Sequence, residues 1–138
     1  MIKILIADDH EIVRCGIKQI LQDEFPEETI EEAMDTDTLI NKAISSHWDI
    51  IVSDLKMPGG GGLAAIRKIH DHQPLIPVLI LSFYPEEQYV LSLLKAGAAG
   101  FLNKDAASEK LINAVKIILS GHNYFSCQNH EKGQCIAV

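Results

Sequence analysis

Four short apolar runs each end in residues that could act together chemically. Ile2–Ala7 is followed by Asp8-Asp9, Ile50–Val52 by Ser53-Asp54, Val78–Leu81 by Ser82, and Ala99–Leu102 by Asn103-Lys104. If the runs are parallel strands, three carboxylates, a hydroxyl and an ammonium converge on one rim. Ligands of open parallel sheets bind at that rim, beyond the carboxyl ends of the strands. Like charges about 4 Å apart repel by roughly 4 kcal/mol at an effective dielectric of about 20. One lysine offsets too little of this. A hard divalent cation is the natural remedy, and Mg²⁺ suits few carboxylates with several retained waters. Each member alone is a weak signal. An Asp-Asp pair also starts helices, with Asp9 or His10 as the cap, and Ser82 or Lys104 alone would be ordinary.

The elements that must position these residues follow from hydrophobic period. The runs are continuous rather than alternating, which suits strands buried on both faces of a helix-covered parallel sheet. Thr29–Met34 and Ala99–Leu102 are weaker candidates of the same kind. Between the runs, apolar residues recur at helical spacing: Val13, Ile17, Ile20, Leu21; Leu39, Ile40, Ala43; Leu63, Ile66, Ile69; Val90, Leu93, Leu94; and Leu111, Val115, Ile118, Leu119. The order is a strand and a helix, five times over, which predicts an α/β domain with right-handed crossovers. Gly59–Gly62 reads as a flexible loop after the third strand, lacking the lysine and spacing of a phosphate cradle.

The balance of the chain narrows the function further. Its 138 residues are 47% hydrophobic and 22% charged, one globular domain's worth. Twelve basic against nineteen acidic residues give a net charge of −7, which argues against general binding to nucleic acid or anionic membranes. No run is long enough to span a membrane and no signal-peptide pattern is present. Three cysteines without framework spacing suggest reduced thiols and a cytoplasmic location. Eight acids and no base fall within residues 23–37, read as a solvated connection and exposed edge strand, or else a docking patch for a basic partner. After Gly121 periodicity ends, so residues 1–121 form the expected domain and 122–138 a linker start or disordered tail. Cys127, His130, Cys135 and His122 lack the paired spacing of zinc modules and belong to that tail. Cys15 and Trp48 read as packed residues.

With these residues in view, the chain resembles a response-regulator receiver domain of two-component signalling, of the LuxR/NarL-type branch. The matching residues are Asp8-Asp9, Asp54 within Asp54-Leu55-Lys56-Met57-Pro58-Gly59, Ser82 and Lys104. The stretches Tyr84–Val90, Lys95–Leu102 and Gly121–Ser126 are similar to that branch. The resemblance implies a flavodoxin-like, doubly wound five-stranded sheet, order 2-1-3-4-5, with five helices. It implies that Asp54 accepts a phosphoryl group from a sensor histidine kinase. Asp9 and Asp54 would ligate Mg²⁺ directly, Asp8 through water, and Lys56 would contribute its backbone carbonyl. Lys104 and Ser82 would contact the phosphoryl oxygens. Such a protein is a phosphoacceptor switch rather than an enzyme with a metabolite substrate. It regulates transcription through a DNA-binding domain outside this chain, or acts alone through protein contacts. A homodimer through helical faces is compatible with it.

Several positions depart from the family pattern. Phe101 occupies the aromatic switch position without a hydroxyl, and either moves on phosphorylation or is core throughout. Phe83 puts a bulky ring beside the pocket where a small residue is common, which should slow small donors and hydrolysis. Lys56 and Tyr84 lie at the pocket rim. Asp105 replaces a common proline, so the Lys104-Asp105 bond is either trans in a differently shaped loop, the preferred reading, or a strained cis bond beside the site, and its charge could compete for Lys104. An aspartyl-phosphate phosphatase would want an acid two residues after the nucleophile, where Lys56 stands. A flavodoxin-like cofactor binder would want phosphate-cradling hydroxyls where Asp8-Asp9-His10 stands.

Overall fold

The computed structural model describes residues 2–26, 29–83, 87–126 and 135–136. The chain alternates β1 (Lys3–Ala7), α1 (Glu11–Glu24), β2 (Thr29–Ala33), α2 (Thr36–Ser45), β3 (Ile50–Asp54), α3 (Gly61–His72), β4 (Val78–Ser82), α4 (Glu87–Ala96), β5 (Gly100–Asn103) and α5 (Ala107–Leu119). Two short strands follow, β6 (Tyr124–Ser126) and β7 (Cys135–Ile136). The sheet order is β2-β1-β3-β4-β5-β6-β7. β1 to β6 pair in parallel and β7 pairs antiparallel with β6. The expected five-stranded, doubly wound sheet and its five helices are therefore present, extended at one edge.

Alternation along the strands splits the core into two layers, because successive side chains point to opposite faces. Ile4, Ile6, Ile50, Val52, Leu79 and Leu81 pack with Ile17 and Leu21 of α1 and with Leu111, Val115 and Ile118 of α5. Leu5, Ala7, Ile51, Ile80 and Phe101 pack with Leu39 of α2, Ile66 and Ile69 of α3 and Leu93 of α4. Both strand faces being covered explains the continuous apolar runs. Among the described residues no helix is long and apolar enough to cross a membrane.

Cys15, read as a packed residue, is exposed, and two larger expectations are corrected here. Residues 122–138 do not all lie beyond the packed domain. Tyr124 and Phe125 are buried, Phe125 completely, and Tyr124 and Phe125 pair with Gly100 and Phe101. Three residues are too few for a period to show, so the strand is visible only through what covers it. Residues 127–134, with Cys127 and His130, lie outside the described residues. The second correction concerns Gly59–Gly62, which is a tethered corner. Thr36 N–H donates to the Pro58 carbonyl at 3.0 Å, and Gly61 N–H donates to Thr36 Oγ1 at 2.9 Å. Gly61 and Gly62 are buried in the first turn of α3. A Cβ on Gly62 would lie 2.8 Å from the Asp54 carbonyl oxygen, so the glycine lets α3 start hard against the strand that carries Asp54.

Candidate functional site

Strand register sets the site. Ala7 lies beside Ser53, Asp54 beside Leu81, and Ser82 beside Asn103. Asp8, Asp54, Ser82 and Lys104 therefore leave or end four adjacent strands at nearly one level. Asp8, Asp54 and Ser82 are all buried.

The Lys104 ammonium lies 2.9 Å from Asp8 Oδ2 and 3.2 Å from Asp54 Oδ1, and its side chain is only 4% exposed. Lys104 follows Asn103, whose side chain accepts from Asp105 N–H at 2.9 Å and opens a 3₁₀ turn over Lys104–Ala106. That amide hydrogen is what a proline at 105 would remove. The described peptide bonds are all trans, as expected for Lys104-Asp105. Asp105 itself is exposed, and the Lys104 ion pairs run to Asp8 and Asp54, so the anticipated competition by Asp105 does not shape this state.

Burial is the largest influence on Asp54 and raises its carboxyl above the ordinary range. Lys104 works downward against it, while the Asp8 charge adds to the rise. Asp8 is held from both chain directions. His10 N–H donates to its Oδ1 at 2.8 Å, and its own N–H donates to the Ala33 carbonyl at 3.1 Å. Asp8 Oδ2 is buried without a hydrogen bond; its contact with Lys104 is an ion pair lacking hydrogen-bond alignment.

Oxygen atoms of Asp8, Asp9 and Asp54 and a ring nitrogen of His10 lie within 4.8 Å of one another. With a buried Asp8 oxygen that accepts no hydrogen bond and an oxygen-rich donor set, these residues fit a hard divalent cation. His10 was considered from sequence only as a helix cap. It does occupy the N-cap of α1, without a side-chain cap bond, while its Nδ1 sits 3.1 Å from Asp9 Oδ1. Its adjacency to the acidic pair was the available signal.

The remaining candidates surround this cluster. Lys56 is exposed, and its N–H reaches Asp54 Oδ1 at 3.4 Å. Phe83 is 48% exposed, with its ring centroid 5.1 Å from the Lys104 ammonium, so the ring borders the site. Phe101 is fully buried among residues that pack α2, α3 and α4. Tyr84 lies outside the described residues.

The sequence profile of the response regulator receiver domain family matches residues 4–116. The chain belongs to this family. This receiver is 36% identical over 128 residues to the response regulator GacA of Pseudomonas aeruginosa, covering 93% of the chain and 60% of GacA. It thus spans about 60% of the length of such relatives. A two-component response regulator of the LuxR family from Aurantimonas sp. SI85-9A1 superposes with a TM-score of 0.86 at 28% identity, over 95% of this receiver and 93% of that chain. The isolated receiver of RcsB from Salmonella enterica serovar Typhimurium, solved with the phosphomimetic BeF₃⁻, gives 0.81 at 26% identity, over 90% and 92%. These relatives place the receiver in the LuxR/NarL-type branch.

Proposed function

We propose that Asp54 accepts a phosphoryl group from a phosphohistidine on a sensor histidine kinase and that the resulting charge switches the conformation of the chain. The observation carrying this reading is the buried Asp54 carboxylate 3.2 Å from Lys104, grouped with Asp8 and Asp9 at the strand ends. A carboxylate oxygen of Asp54 attacks phosphorus, an O–P bond forms, and the P–N bond of the donor breaks. The electron pair leaves on the imidazole nitrogen, which takes up a proton. Asp54 must be ionised to attack, and Lys104 favours that form against the burial that opposes it. The ammonium of Lys104 then meets a phosphoryl oxygen as a point charge, and the Ser82 hydroxyl donates to another. Mg²⁺ bound by Asp8, Asp9, Asp54 and the Lys56 carbonyl would supply charge neutralisation for the transfer.

The same reading makes this a switch that turns over no metabolite. Asp8-Asp9 and the cationic Lys56 are poor matches to the phosphatase and flavodoxin-like alternatives. The output is control of transcription in the cytoplasm, through a DNA-binding domain carried by a longer protein; the greater length of the relatives supports this over a receiver acting alone. Contacts to the kinase and to a second receiver would use the helical faces.

The test is incubation with Mg²⁺ and either beryllofluoride or a phosphodonor, read by intact mass and by spectral shift. The expected result is one Mg²⁺-dependent modification that Asp54→Ala abolishes. Labelling that survives in Asp54→Ala, or no labelling of the parent chain, overturns the reading.

A further inference from the structure

The β1–α1 corner holds a largely covered cation that the phosphoryl-transfer reading does not use. Arg14 lies in the second turn of α1, and its side chain is only 11% exposed. Its Nη1 donates to the main-chain carbonyl of Asp8 at 2.8 Å. Its Nε donates to Glu32 Oε1 on the edge strand β2 at 2.9 Å. The other oxygen of Glu32 accepts from Lys18 Nζ at 3.1 Å, and the Glu32 carbonyl accepts from Lys42 Nζ at 2.8 Å. The guanidinium is thus wedged between the acidic corner and the sheet edge, with its acid partner fixed by two further cations.

This arrangement has a specific consequence for Asp8. The β1 ladder ends at Ala7, so the Asp8 carbonyl has left the regular pairing and needs another donor. Arg14 supplies it. The Asp8 N–H is already committed to Ala33, and Asp8 Oδ1 to the His10 N–H. Together the three bonds fix the peptide on either side of Asp8 and one side-chain oxygen. The second oxygen, which faces the Lys104 ammonium at 2.9 Å, takes no hydrogen bond and stays with the cluster formed with Asp9 and Asp54. A planar fork can satisfy the Asp8 carbonyl and Glu32 simultaneously from two separated nitrogens, whereas a lysine presents all its donors from one nitrogen as a compact point charge.

We infer that Arg14 is a positioning residue for the cation-binding acids: it holds the Asp8-Asp9 corner in ligating geometry and so sets divalent-cation affinity without touching the cation. This rests on the reading of Asp8, Asp9 and Asp54 as a cation site. Loss of a group that orients a ligand typically weakens metal binding by about 10–100-fold.

The test measures Mg²⁺ affinity of the whole chain by calorimetry beside its urea unfolding midpoint. Arg14→Met should weaken Mg²⁺ binding about tenfold, with labelling by a small phosphodonor returning to the parent rate at saturating Mg²⁺. Arg14→Lys and Glu32→Gln retain volume and carry the test if Arg14→Met does not fold; both should weaken Mg²⁺ binding in the same direction. Lys116→Met, which breaks the exposed pair with Glu24, should leave affinity unchanged. Variants that unfold more easily yet bind Mg²⁺ as the parent does would reduce Arg14 to a stabilising contact and overturn this inference alone. A parent chain that binds no Mg²⁺ overturns both this inference and the functional reading beneath it.

Discussion

Phe83 shows how one side chain can influence a charged site without entering its chemistry. Its ring stands over the Lys104 ammonium, 5.1 Å from centroid to nitrogen, while the same ammonium pairs with Asp8 and Asp54. A cation–π contact to a half-exposed ring such as Phe83 contributes about 0.5–1 kcal/mol, equivalent to roughly 2–5-fold in a rate. Phe83→Ala is therefore expected to speed labelling by a small phosphodonor, and hydrolysis of the product, by about that factor. Time courses with acetyl phosphate, followed by intact mass, measure both; equal rates in parent and variant defeat the idea. Residue type after each apolar run was enough to nominate Asp8, Asp9, Asp54, Ser82 and Lys104. Arg14 and the nearness of the His10 ring to the acidic cluster were not nominated, because their partners lie on other elements or in a turn whose shape spacing does not define. Lys104 bridging two acids rather than meeting Asp105 likewise depends on where the 3₁₀ turn after β5 aims the side chain.

At the scale of elements, the acidic stretch over residues 23–37 changes meaning. From spacing it was an exposed edge or a docking patch. In the fold, much of its charge has local partners: Glu24 with Lys116, Glu31 with Lys42, and Glu32 with Arg14 and Lys18. Asp35 accepts from Thr38 N–H at 2.7 Å to cap α2. β2 is indeed the sheet edge, but α1 and α2 lay cations along it. For Glu32, burial is the largest single influence and acts upward; the bonds and charges of Lys18 and Arg14 together outweigh it and hold the carboxyl below its ordinary 4.5. A lowered folded value means stability that is fully present above about pH 4.5 and is lost as pH falls through the folded value. Urea unfolding of the parent and Glu32→Gln across that acid range should show the difference between them shrinking as pH falls; a constant gap would exclude the linkage. The helices were legible because each buries a stripe at helical period. The β3–α3 corner was not, since glycine runs look alike whether loose or forced by close approach of Gly62 to Asp54.

The whole molecule is larger than hydrophobic period suggested. α5 ends at Leu119, yet the sheet continues through β6, and Phe125 joins Leu5, Ile80 and Phe101 in one layer while Tyr124 joins Leu79 and Leu102 in the other. Fully burying one large apolar side chain contributes about 1.5–3 kcal/mol. A chain ending at Gly121 should consequently be less stable than one ending at Ser126 by roughly 3–5 kcal/mol. Matched urea melts of the two truncations measure this, and coincident midpoints would return Tyr124–Ser126 to the status of a tail.

The doubly wound order 2-1-3-4-5 came from resemblance to the receiver family; the sequence pattern by itself determined the five strand–helix units, a helix-covered parallel sheet and the acids, hydroxyl and lysine at one rim. Those properties are local: an apolar run buried on both faces, a stripe at helical period, and a polar residue where a strand must stop. Tertiary structure alone decided which charges meet. It put Lys104 between Asp8 and Asp54, Arg14 between the Asp8 carbonyl and Glu32, and Phe125 against the edge of β5. Each pairing joins residues far apart along the chain or separated by a turn, and depends on register, helix placement and burial. No spacing pattern encodes those quantities.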